Sequence, residues 1–401
     1  MKNTKTINRS YPAVVLGALE TGLGVIRSLG QEGIRVYCFD FKTEIARYSR
    51  YGKFYLCPHP QKESQQFIEY LLKKGKLFEK KAVLFIASDY FIKVCSENRD
   101  RLRPYYLFNW PDDSLFKQIG NKYEQYLLAT DADICMPNTI KIDGNDNLLL
   151  PSLSFPLIMK GIDVVSWRNA FGGSKKGFLL EDFEQLKEKL IIVQKQTVPV
   201  VLQEIIRGPD TNHFKYCAYI SSEGKTLAEF TLRKIRQLPI RFGVGAVVES
   251  VQNKDLLQVG RKFFKGIAFK GIGSAEFKLD EKDGKLKLIE LNPRYWQQNY
   301  LTTATGINFA LLNYLDITCQ DPRPLTEFKT GIKWINRYMD FDSFLGYRKE
   351  GKLTFRQWRK SLKGKKVYSD FLWDDPIPAL YEIRFGLKIL RTPRYLIRRI
   401  L

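Results

Sequence analysis

Two carboxylates on neighbouring strand-like runs are the sharpest chemical feature of the sequence. Glu276 lies in the first run, a turn signal follows at Asp283–Gly284, and Glu290 and Asn292 alternate with apolar residues in the second run. In a hairpin the two acids lie side by side, and a period of two puts Glu290, Asn292 and Arg294 on one face. Adjacent like charges are unfavourable unless a cation lies between them, and oxygen ligands suit Mg²⁺. The hairpin predicts a magnesium site, with a solvated face carrying an Arg–Glu ion pair as the alternative.

Lysine and glycine residues ahead of this hairpin form a second feature. An apolar run from Phe155 ends in Lys160, and a glycine-rich segment follows, Gly172-Gly173-Ser174-Lys175-Lys176-Gly177. A lysine on a strand supplies a fixed positive charge, and glycines let backbone N–H groups close on phosphate oxygens. Together they predict phosphate binding, although a hairpin tip and a solvated lysine would leave the same pattern.

A strand-like run between these features ends in polar and acidic residues. It extends from Val200 through Gln203 and Glu204 to Ile206, and Asp210 follows a Gly–Pro turn. A strand edge offers a backbone donor and acceptor to adenine, and a carboxylate a few residues later can accept both ribose hydroxyls. The pattern fits a nucleotide site, and it also fits a plain surface turn.

A glycine turn near the N-terminus carries a weaker signal. Gly17, Gly22 and Gly24 follow the apolar run Ala13–Leu16, and Asp40 closes the next apolar run. A dinucleotide-binding turn has the spacing G-x-G-x-x-G, which is absent here. We therefore expect a tight strand-to-helix turn, with cofactor binding as the alternative.

Composition narrows the chemistry. The chain has 401 residues and a formal net charge of +22, which favours an anionic partner such as nucleotide, nucleic acid or a lipid surface. The only histidines, His59 and His213, exclude a multi-histidine zinc site and leave little scope for a Ser-His-Asp triad. The six cysteines include no C-x-x-C pair, which is typical of reduced thiols in a cytosolic protein.

The elements that position these residues begin with a parallel sheet. Residues 13–40 predict strand, glycine turn, helix and strand, and a further strand is predicted at 82–87. Helical patterns at 63–73 and 90–102 would cover this sheet. We therefore expect a Rossmann-like parallel-sheet domain over residues 1–115.

The residue pattern of the sequence changes twice after this domain. From residue 116 onward, alternating runs and hairpin signals predict an antiparallel α+β domain over 116–322. Basic residues then accumulate, and a basic, mostly helical C-terminal extension is expected over 323–401. The predicted fold class is therefore multidomain, α/β followed by α+β.

The C-terminal residues combine apolar and basic side chains at helical spacing. Leu380, Ile383, Leu387 and Leu390 recur every three to four residues among arginines and lysines, and Pro393 divides the segment. A basic amphipathic helix can lie on an anionic membrane, whereas an apolar stripe can equally pack on the protein's own domain. Aromatic residues among the basic ones prompt nucleic-acid binding as a rival, although no nucleic-acid module accompanies them.

The order of the pieces resembles the ATP-grasp superfamily of carboxylate–amine ligases over roughly residues 13–320. Asn121-Lys122 resembles the Asp-Lys pair at the start of the grasp, and Met136-Pro137-Asn138-Thr139 stands in place of Pro-x-Thr. The resemblance implies a lid at about 122–202 and a nucleotide and metal half at about 203–322. It also implies an ADP-forming, ATP- and Mg²⁺-dependent ligase that joins a carboxylate to an amine through an acyl phosphate.

The resemblance implies a role for each matching residue. Arg294 and Lys160 would be catalytic, and Arg294 would stabilise the transferring phosphoryl group or the tetrahedral intermediate. Two Mg²⁺ ions, replaceable by Mn²⁺, would be held by Glu276, Glu290 and Asn292. The residues implied to bind ATP are Lys122, Lys160, Gly172, Gly173, Ser174, Gly177, Gln203, Glu204, Ile206 and Asp210.

Substrate recognition is implied at two further places. A basic segment with Arg233 and Arg236 resembles the one that the D-aspartate ligase-like branch points at its carboxylate substrate. These arginines are expected to clamp the acyl substrate or a phosphate, with a solvated basic face as the alternative. Glu20 lies in the first glycine turn, which lines the substrate cleft in the superfamily, and is expected to contact an ammonium group. The substrates are expected to be amino-acid-type or cell-envelope-related molecules.

Other proteins share parts of this pattern. Biotin-carboxylase relatives have the same grasp, but no biotinyl or carboxyltransferase segment is visible, and one set of motifs is too few for a duplicated carbamoyl-phosphate synthetase. A nucleotide sensor without ligase activity would not require both lysines and the full metal set. We expect a cytoplasmic enzyme with small-molecule substrates and no nucleic-acid partner, with a homodimer and peripheral contact at the inner membrane face left open.

Overall fold

A computed structural model represents the protein, and its described residues form three β-sheets. The residues that it describes are 7–142, 153–172 and 177–390, without the side chains of residues 164, 165, 168 and 384–390. Gly173 and Ser174 of the predicted phosphate loop, and the arginines after residue 390, lie outside this described part.

The N-terminal part is a parallel sheet covered by helices, as predicted. Its elements in chain order are β1 (Ala13–Leu16), α1 (Glu20–Gly30), β2 (Val36–Asp40), β3 (Lys53–Leu56), α2 (Ser64–Gly75), β4 (Ala82–Ile86), α3 (Asp89–Glu97), α4 (Arg99–Leu102) and β5 (Tyr106–Leu107), with a short 3-10 helix at Ile45–Tyr48. The strand order is β3-β2-β1-β4-β5, and all four pairs are parallel. Each residue of β1 and β4 is buried, as expected for parallel strands with helices on both faces.

A buried carboxylate braces the glycine turn between β1 and α1. Gly17 has a φ of +108°, and a Cβ there would lie 2.8 Å from the Cβ of Ser88, so only glycine fits without strain. Asp40, 4% exposed, accepts the backbone N–H groups of Ala18 and Phe41, each at 2.7 Å. Burial raises the pKa of Asp40 to about 6. Because its oxygens anchor the turn, Asp40 has a structural role rather than the ribose-binding role of the dinucleotide alternative.

An antiparallel sheet follows in the chain, with helices α7 and α8 packed on it. The elements of this stretch are α5 (Asp113–Gly120), α6 (Lys122–Asp131), β6 (Thr139–Ile142), β7 (Leu157–Gly161), α7 (Val164–Phe171), β8 (Phe178–Leu180), α8 (Phe183–Lys195) and β9 (Val200–Glu204), and α5 and α6 pack in the core of the central sheet described next. The strand order is β6-β9-β7-β8. Leu157 and Met159 of β7 pack against Leu186 of α8 in a core of their own. We call this unit the small sheet.

A seven-stranded sheet lies at the centre of the molecule. The remaining elements are β10 (His213–Ile220), β11 (Thr226–Leu238), β12 (Val244–Ser250), α9 (Lys254–Gly266), β13 (Gly271–Leu279), β14 (Leu286–Asn292), α10 (Asn299–Thr305), α11 (Phe309–Ile317), β15 (Lys333–Ile335), α12 (Arg337–Lys349), α13 (Phe355–Ser361), β16 (Lys366–Tyr368) and α14 (Ile377–Leu390), with a 3-10 helix at Asp210–Asn212. The order is β14-β13-β10-β11-β12-β15-β16, antiparallel except for β15 and β16. We call this unit the central sheet.

The two faces of the central sheet have different surroundings. On one face Tyr216 and Phe277 belong to an apolar core with Phe264 of α9. On the other face, Tyr219 packs in a core shared with the N-terminal part. Lys215 lies on this same face, four residues earlier along β10, and gives that end of the face a polar character. The polar half of this second face is therefore the part of the sheet available for chemistry.

The segment after residue 322, predicted as a mostly helical extension, contributes two strands to the central sheet. Strand β15 pairs with β12, and β16 pairs with β15. These strands have three residues each, which is too short for a periodic signal in the sequence. Among the described residues, the helices are all too short or too polar to cross a membrane.

A buried ion pair joins this segment to the N-terminal part. Asp375, in the turn before α14, lies 2.9 Å from Nε of Arg27 on α1, and both side chains are 1% exposed. Asp375 also accepts hydrogen bonds from the hydroxyl of Ser49 and the backbone N–H of Arg50. The start of α14 is therefore fixed to the parallel sheet domain.

We predict that Asp375→Ala lowers the free energy of unfolding by about 3–5 kcal/mol, because it leaves the buried guanidinium of Arg27 unpaired. Urea denaturation followed by tryptophan fluorescence measures this change. Asp100→Ala is the control, since that side chain is 94% exposed, and it should change the value by less than about 0.5 kcal/mol. Equal stability of the two variants would contradict the anchoring role.

Candidate functional site

A buried carboxylate between two lysines lies at the centre of the polar half-face. Nζ of Lys215 is 3.1 Å from Oε1 of Glu276, and Nζ of Lys234 is 3.1 Å from Oε2. Lys215 on β10 is directly opposite Glu276 on β13, and Lys234 comes from β11. Burial raises the pKa of Glu276, but the two lysines together outweigh burial and hold that pKa well below its usual range. Two ammonium groups around one carboxylate leave surplus positive charge, which suits a polyanionic ligand.

The predicted metal residues lie next to this cluster. Glu290 is the cross-strand neighbour of Glu276, and Asn292 is the neighbour of Ser274. The hydroxyl of Ser274 is buried without a hydrogen-bond partner among the described residues. Carboxylate and amide oxygens are donors that Mg²⁺ prefers, so this donor set fits the ion. In the described part of the chain no three His, Cys, Asp or Glu side chains cluster as a metal site.

Arg294 is held by a residue of the parallel sheet domain. Its Nη2 donates to Oδ2 of Asp89 at 2.9 Å, its Nε donates to the other oxygen of that carboxylate, and its Nη1 donates to the carbonyl of Tyr295 at 2.8 Å. Every nitrogen of the guanidinium is thus engaged, and its plane is fixed just beyond Asn292. Asp89 was not predicted, because nothing in the sequence pairs a residue of α3 with the end of β14.

A chain of polar side chains connects the small sheet to the metal residues. Nζ of Lys160 donates to Oε1 of Gln203 at 2.9 Å, and Nε2 of Gln203 donates to the hydroxyl of Thr139 at 2.9 Å. The hydroxyl of Tyr126 on α6 also hydrogen-bonds Gln203 and lies near Glu290, and burial raises the pKa of this phenol. Lys160 and Gln203 are therefore brought to the same region as the metal residues, with Tyr126 between them.

The segment after β9 is tied to the central sheet by buried polar contacts. The carbonyl of Ile206 accepts Nζ of Lys278 at 2.8 Å, and Oδ1 of Asp210 accepts Nε2 of Gln237 at 2.7 Å. Burial raises the pKa of Asp210, and its other oxygen has no hydrogen-bond partner in the described part of the chain. Glu204 accepts the backbone N–H of Ser154 at 2.8 Å. Ile206 and Asp210 thus lie beside the cluster, whereas the side chain of Glu204 bonds the irregular segment directly before β7.

His213 is a buried site residue that the sequence did not identify. It is 7% exposed, and both ring nitrogens are buried without a hydrogen-bond partner among the described residues. Burial, followed by the positive charges of Lys234 and Lys278, lowers the pKa of His213 to about 2. The imidazole is therefore neutral near neutral pH and carries polar atoms without internal partners. A period of two with Lys215 along β10 is the signal that could have found it.

The start of α6 explains one departure from the family pattern. The side-chain oxygen of Asn121 accepts the backbone N–H groups of Tyr123 and Glu124, so it caps the helix. Asparagine and aspartate are equally good at this position, which accounts for Asn where the family has Asp. Lys122 begins the helix, and its backbone N–H donates to the carbonyl of Ile162 just after β7.

The glycine-rich segment is described only at its two ends. Gly172 directly follows α7 and has a φ of +85°. At Gly177 a Cβ would lie 2.5 Å from the carbonyl oxygen of Met159, so the chain passes very close to β7 beside Lys160. Gly173 and Ser174 lie outside the described residues, and their role in phosphate binding stays a prediction.

Arg233 lies on the wrong face of the central sheet for the predicted substrate role. It is opposite Phe214, whereas the neighbouring Lys234 is on the face of Glu276. Its guanidinium pairs with Glu249 at 3.0 Å. The expectation of a clamp at this site is corrected: strand alternation turns Arg233 toward the opposite face.

Arg236 is committed to packing between helices. Its Nε pairs with Asp340 of α12, both side chains being 4% or less exposed, and its Nη1 donates to Ser361 of α13. Asp340 also accepts the indole N–H of Trp358 at 2.8 Å. The predicted substrate clamp is corrected here too, because irregular register on both sides of Arg236 directs it to α12 and α13.

Glu20 lies at a junction between the N-terminal part and the C-terminal segment. It is the first residue of α1, and its carboxylate accepts Nδ2 of Asn336, the N-cap of α12, at 3.3 Å. A contact with a substrate ammonium group stays a prediction.

Comparisons with known proteins give a relative in sequence and several relatives in fold. No protein-family model matches the sequence. A D-aspartate ligase of Enterococcus faecium (strain Aus0004) is 25% identical over 320 residues, which are 76% of this chain and 76% of that protein.

Two solved structures share the fold at low sequence identity. N5-carboxyaminoimidazole synthetase from Staphylococcus aureus, complexed with ADP, superposes with a TM-score of 0.62 at 14% identity, covering 82% of this chain and 83% of that one. L-amino acid ligase from Bacillus licheniformis superposes with a TM-score of 0.58 at 15% identity, covering 78% and 75%. Together with the D-aspartate ligase relative, these likenesses bear out the resemblance drawn from the motifs: the chain is similar to ATP-grasp proteins of the carboxylate–amine ligase type and shares their fold.

Proposed function

We propose that the chain joins an amino-acid-type carboxylate to an amine, using ATP and Mg²⁺ and forming an acyl phosphate on the way. The observation that carries this proposal is the cluster of Lys215, Lys234 and Glu276 beside Glu290 and Asn292. It combines surplus positive charge for a polyphosphate with oxygen donors for a divalent cation. The D-aspartate ligase relative supports an acid of the aspartate type as the carboxylate substrate.

The nucleotide is proposed to lie between the small sheet and the central sheet. Lys122, Lys160 and the segment from Gly172 through Gly173 and Ser174 to Gly177 would bind its phosphates. Gln203, Glu204 and Ile206 would frame the adenine, and Asp210 would accept the ribose hydroxyls. Two residues join this set on structural grounds: His213 has buried ring nitrogens without internal partners, and Tyr126 links Gln203 to the metal residues.

Charge neutralisation is the main task of these residues in the proposed reaction. The substrate carboxylate attacks the γ-phosphorus, ADP leaves, and an amine then attacks the acyl phosphate and releases phosphate. Lys160, Lys215 and Lys234 would hold the phosphate oxygens, and Arg294, with its plane fixed by Asp89, would face the charge that develops on the transferring group.

Magnesium would be held by Glu276, Glu290 and Asn292, and when bound it supplies charge neutralisation to the β- and γ-phosphates. The ammonium groups of Lys215 and Lys234 now cover both oxygens of Glu276. These lysines would exchange that carboxylate for phosphate oxygens when nucleotide arrives. Two ions, with Mn²⁺ as a substitute, complete the proposal.

The organisation of the chain is proposed on the same basis. The ATP-grasp domain would extend over 116–322, with the lid at about 122–202 and the nucleotide and metal half at about 203–322, after the parallel sheet domain at 1–115 and before the basic segment at 323–401. We propose a location at the cytoplasmic face of the membrane, with the basic segment in contact with anionic lipid, and a homodimer as the assembly.

The first prediction concerns ligase activity. Phosphate release from ATP and Mg²⁺ is measured across D- and L-aspartate, other amino acids, dipeptides and amino sugars, and one acid and amine pair is expected to stimulate it. Glu290→Gln should lower the rate at least about 100-fold, because the amide removes a negative charge from the metal site. Near-normal ATP consumption by this variant would refute the metal assignment.

A silent panel has its own meaning. If the wild-type protein binds ATP, shown by an increased melting temperature with nucleotide and Mg²⁺, but releases no phosphate with any pair, the ligase proposal fails for these substrates. A nucleotide-binding sensor would then be the better assignment. EDTA should abolish both phosphate release and the nucleotide-dependent part of the thermal shift.

A second prediction tests Asp89 as a positioning residue. Asp89→Asn should lower kcat about 10- to 100-fold with little change in the KM for ATP, because Arg294 loses its fixed orientation but stays in place. Asp89→Glu should recover part of kcat, and the exposed Asp100→Asn is the matched control. A fall in kcat that is accompanied by a lower urea midpoint of unfolding would indicate a merely structural contact.

A third prediction tests the neutral imidazole of His213. His213→Asn should raise the KM for ATP about tenfold, the effect of one lost hydrogen bond. Because the pKa of His213 is lowered to about 2, its protonation does not change above about pH 5, and the pH profile of the variant should match that of the wild type. His59→Asn is the control. A limb near pH 6.5 that disappears only in His213→Asn would contradict the neutral assignment.

A further inference from the structure

The side-chain amide of Gln237 joins two parts of the proposed nucleotide site. Its Nε2 donates to Oδ1 of Asp210 at 2.7 Å, and its Oε1 accepts Nζ of Lys234 at 3.3 Å. A carboxylate can only accept and an ammonium group can only donate, so the two partners fix which way round the amide lies. Gln237 is 0% exposed, and solvent therefore offers it no other partner. The amide holds one orientation between Asp210 and a lysine of the charged cluster.

Irregular pairing of β11 with β12 aims Gln237 at this position. Lys234 and Gln237 are three residues apart, and in a regular strand they would face opposite sides of the sheet. The register shifts between Lys234 and Arg236 and again between Arg236 and Gln237. Bulges of this kind redirect side chains and are frequent beside active sites. As a result, the side chains of Lys234 and Gln237 meet on the face that carries Glu276.

The backbone of Gln237 is held by two neighbours. It pairs with Gly245 of β12, and its carbonyl accepts the hydroxyl of Ser343 on α12 at 2.9 Å. Ser343 is 0% exposed, so this bond is also shielded from water. Helix α12 therefore supports the position of Gln237 from the C-terminal segment.

Asp210 keeps one carboxylate oxygen without an internal partner. Gln237 occupies Oδ1, whereas Oδ2 is buried with no hydrogen-bond partner among the residues that the structure describes. Burial raises the pKa of Asp210, and the bond from Gln237 is the largest of the influences that lower it, ahead of the charges of Lys234 and Lys278 and the backbone N–H of Arg241. Gln237 therefore both orients the carboxylate and favours its ionised form.

The contact with Asp210 is the one that explains an amide at this position. Lys234 already contacts Glu276 and the carbonyl of Gly243, so it does not depend on Gln237 for a partner. An aliphatic side chain of similar volume would fill the space without the cost of burying a polar group. The buried amide is thus matched to the buried carboxylate.

We infer that Gln237 is a positioning residue that makes the site selective for ribonucleotides over 2′-deoxyribonucleotides. By holding Oδ1, it would leave Oδ2 of Asp210 to accept the hydroxyls of a ribose. A sugar without its 2′-hydroxyl would leave that buried oxygen with one partner fewer. The inference deepens the proposed function and rests on it, because it takes Asp210 as the ribose residue. Gln237 acts through Asp210 and does not itself touch the nucleotide.

Nucleotide binding without turnover tests this inference. The dissociation constants of ATP and of 2′-deoxy-ATP, each with Mg²⁺ and without acid or amine substrate, are measured by isothermal titration calorimetry on the full-length protein. The wild type should bind ATP about tenfold more tightly, as expected for one hydrogen bond to a charged group. Gln237→Met, which keeps the volume of the side chain, should lower this preference to below about twofold.

Further variants separate positioning from a merely structural role. Asp210→Ala should also remove the preference, and adding Gln237→Met to it should have no further effect on the preference, because the two residues act as a unit. In Gln237→Met alone the pKa of Asp210 should rise, so ATP affinity should begin to fall at a higher pH on acidification than in the wild type. Gln66→Met, at an exposed position on α2, is the matched control and should preserve both the preference and the pH dependence.

The outcomes distinguish this inference from the proposed function. A preference that survives in Gln237→Met but is lost in Asp210→Ala would overturn the role of Gln237 and leave the ribose assignment intact. A preference that survives in both variants would overturn both assignments, and a wild type that binds no ATP would refute the nucleotide site itself. If Gln237→Met does not fold, Gln237→Asn, whose amide is one methylene short of Asp210, should show the same loss.

Discussion

A carboxylate held ionised between two lysines is the interaction on which the rest of the site depends. Burial alone would favour the neutral acid at Glu276. Burial of either lysine ammonium group without a partner would also be costly. The three side chains come from three adjacent strands, so their meeting depends on the register of β13, β10 and β11. A slip of one residue would turn them to the opposite face. The apolar packing of Tyr216 and Phe277 on the opposite face therefore fixes the register that keeps Glu276 between the two lysines.

The site also depends on parts of the chain that are far apart in sequence. Asp89 at the start of α3 orients Arg294, and Tyr126 on α6 connects Gln203 of the small sheet with the region of Glu290. Each contact is made by a residue whose backbone is fixed by a helix or strand. A small shift of one sheet therefore changes the positions of side chains on another. A nucleotide bound between the sheets would therefore contact groups whose positions are already coupled.

Sequence periodicity predicted the parts of the site that rest on local geometry. Alternation placed Glu276, Glu290 and Asn292 together, and the register of β13 and β14 agrees. The resemblance that named Arg233 as a clamp did not show which of two neighbouring residues faces the site, and strand alternation turns Arg233 to the opposite face. At Arg236 irregular register interrupts the pattern. Lys215 and His213 were missed because inward polar residues on a strand resemble solvated ones until the opposite strand is known.

Electrostatics gives a reason why a protein with the proposed reaction should be so basic. The proposed reaction brings a polyphosphate and a carboxylate to one place, and these two anions repel each other strongly in a water-poor site. Lys215 and Lys234 exceed the charge of Glu276 by one, whereas the charge of Arg294 is balanced by Asp89. Long-range attraction by a net charge of +22 would raise the local concentration of both anions before either reaches the cluster. The net charge of the chain would therefore speed the encounter with both anions. The positive charge at the site would then stabilise the negative charge that develops during phosphoryl transfer.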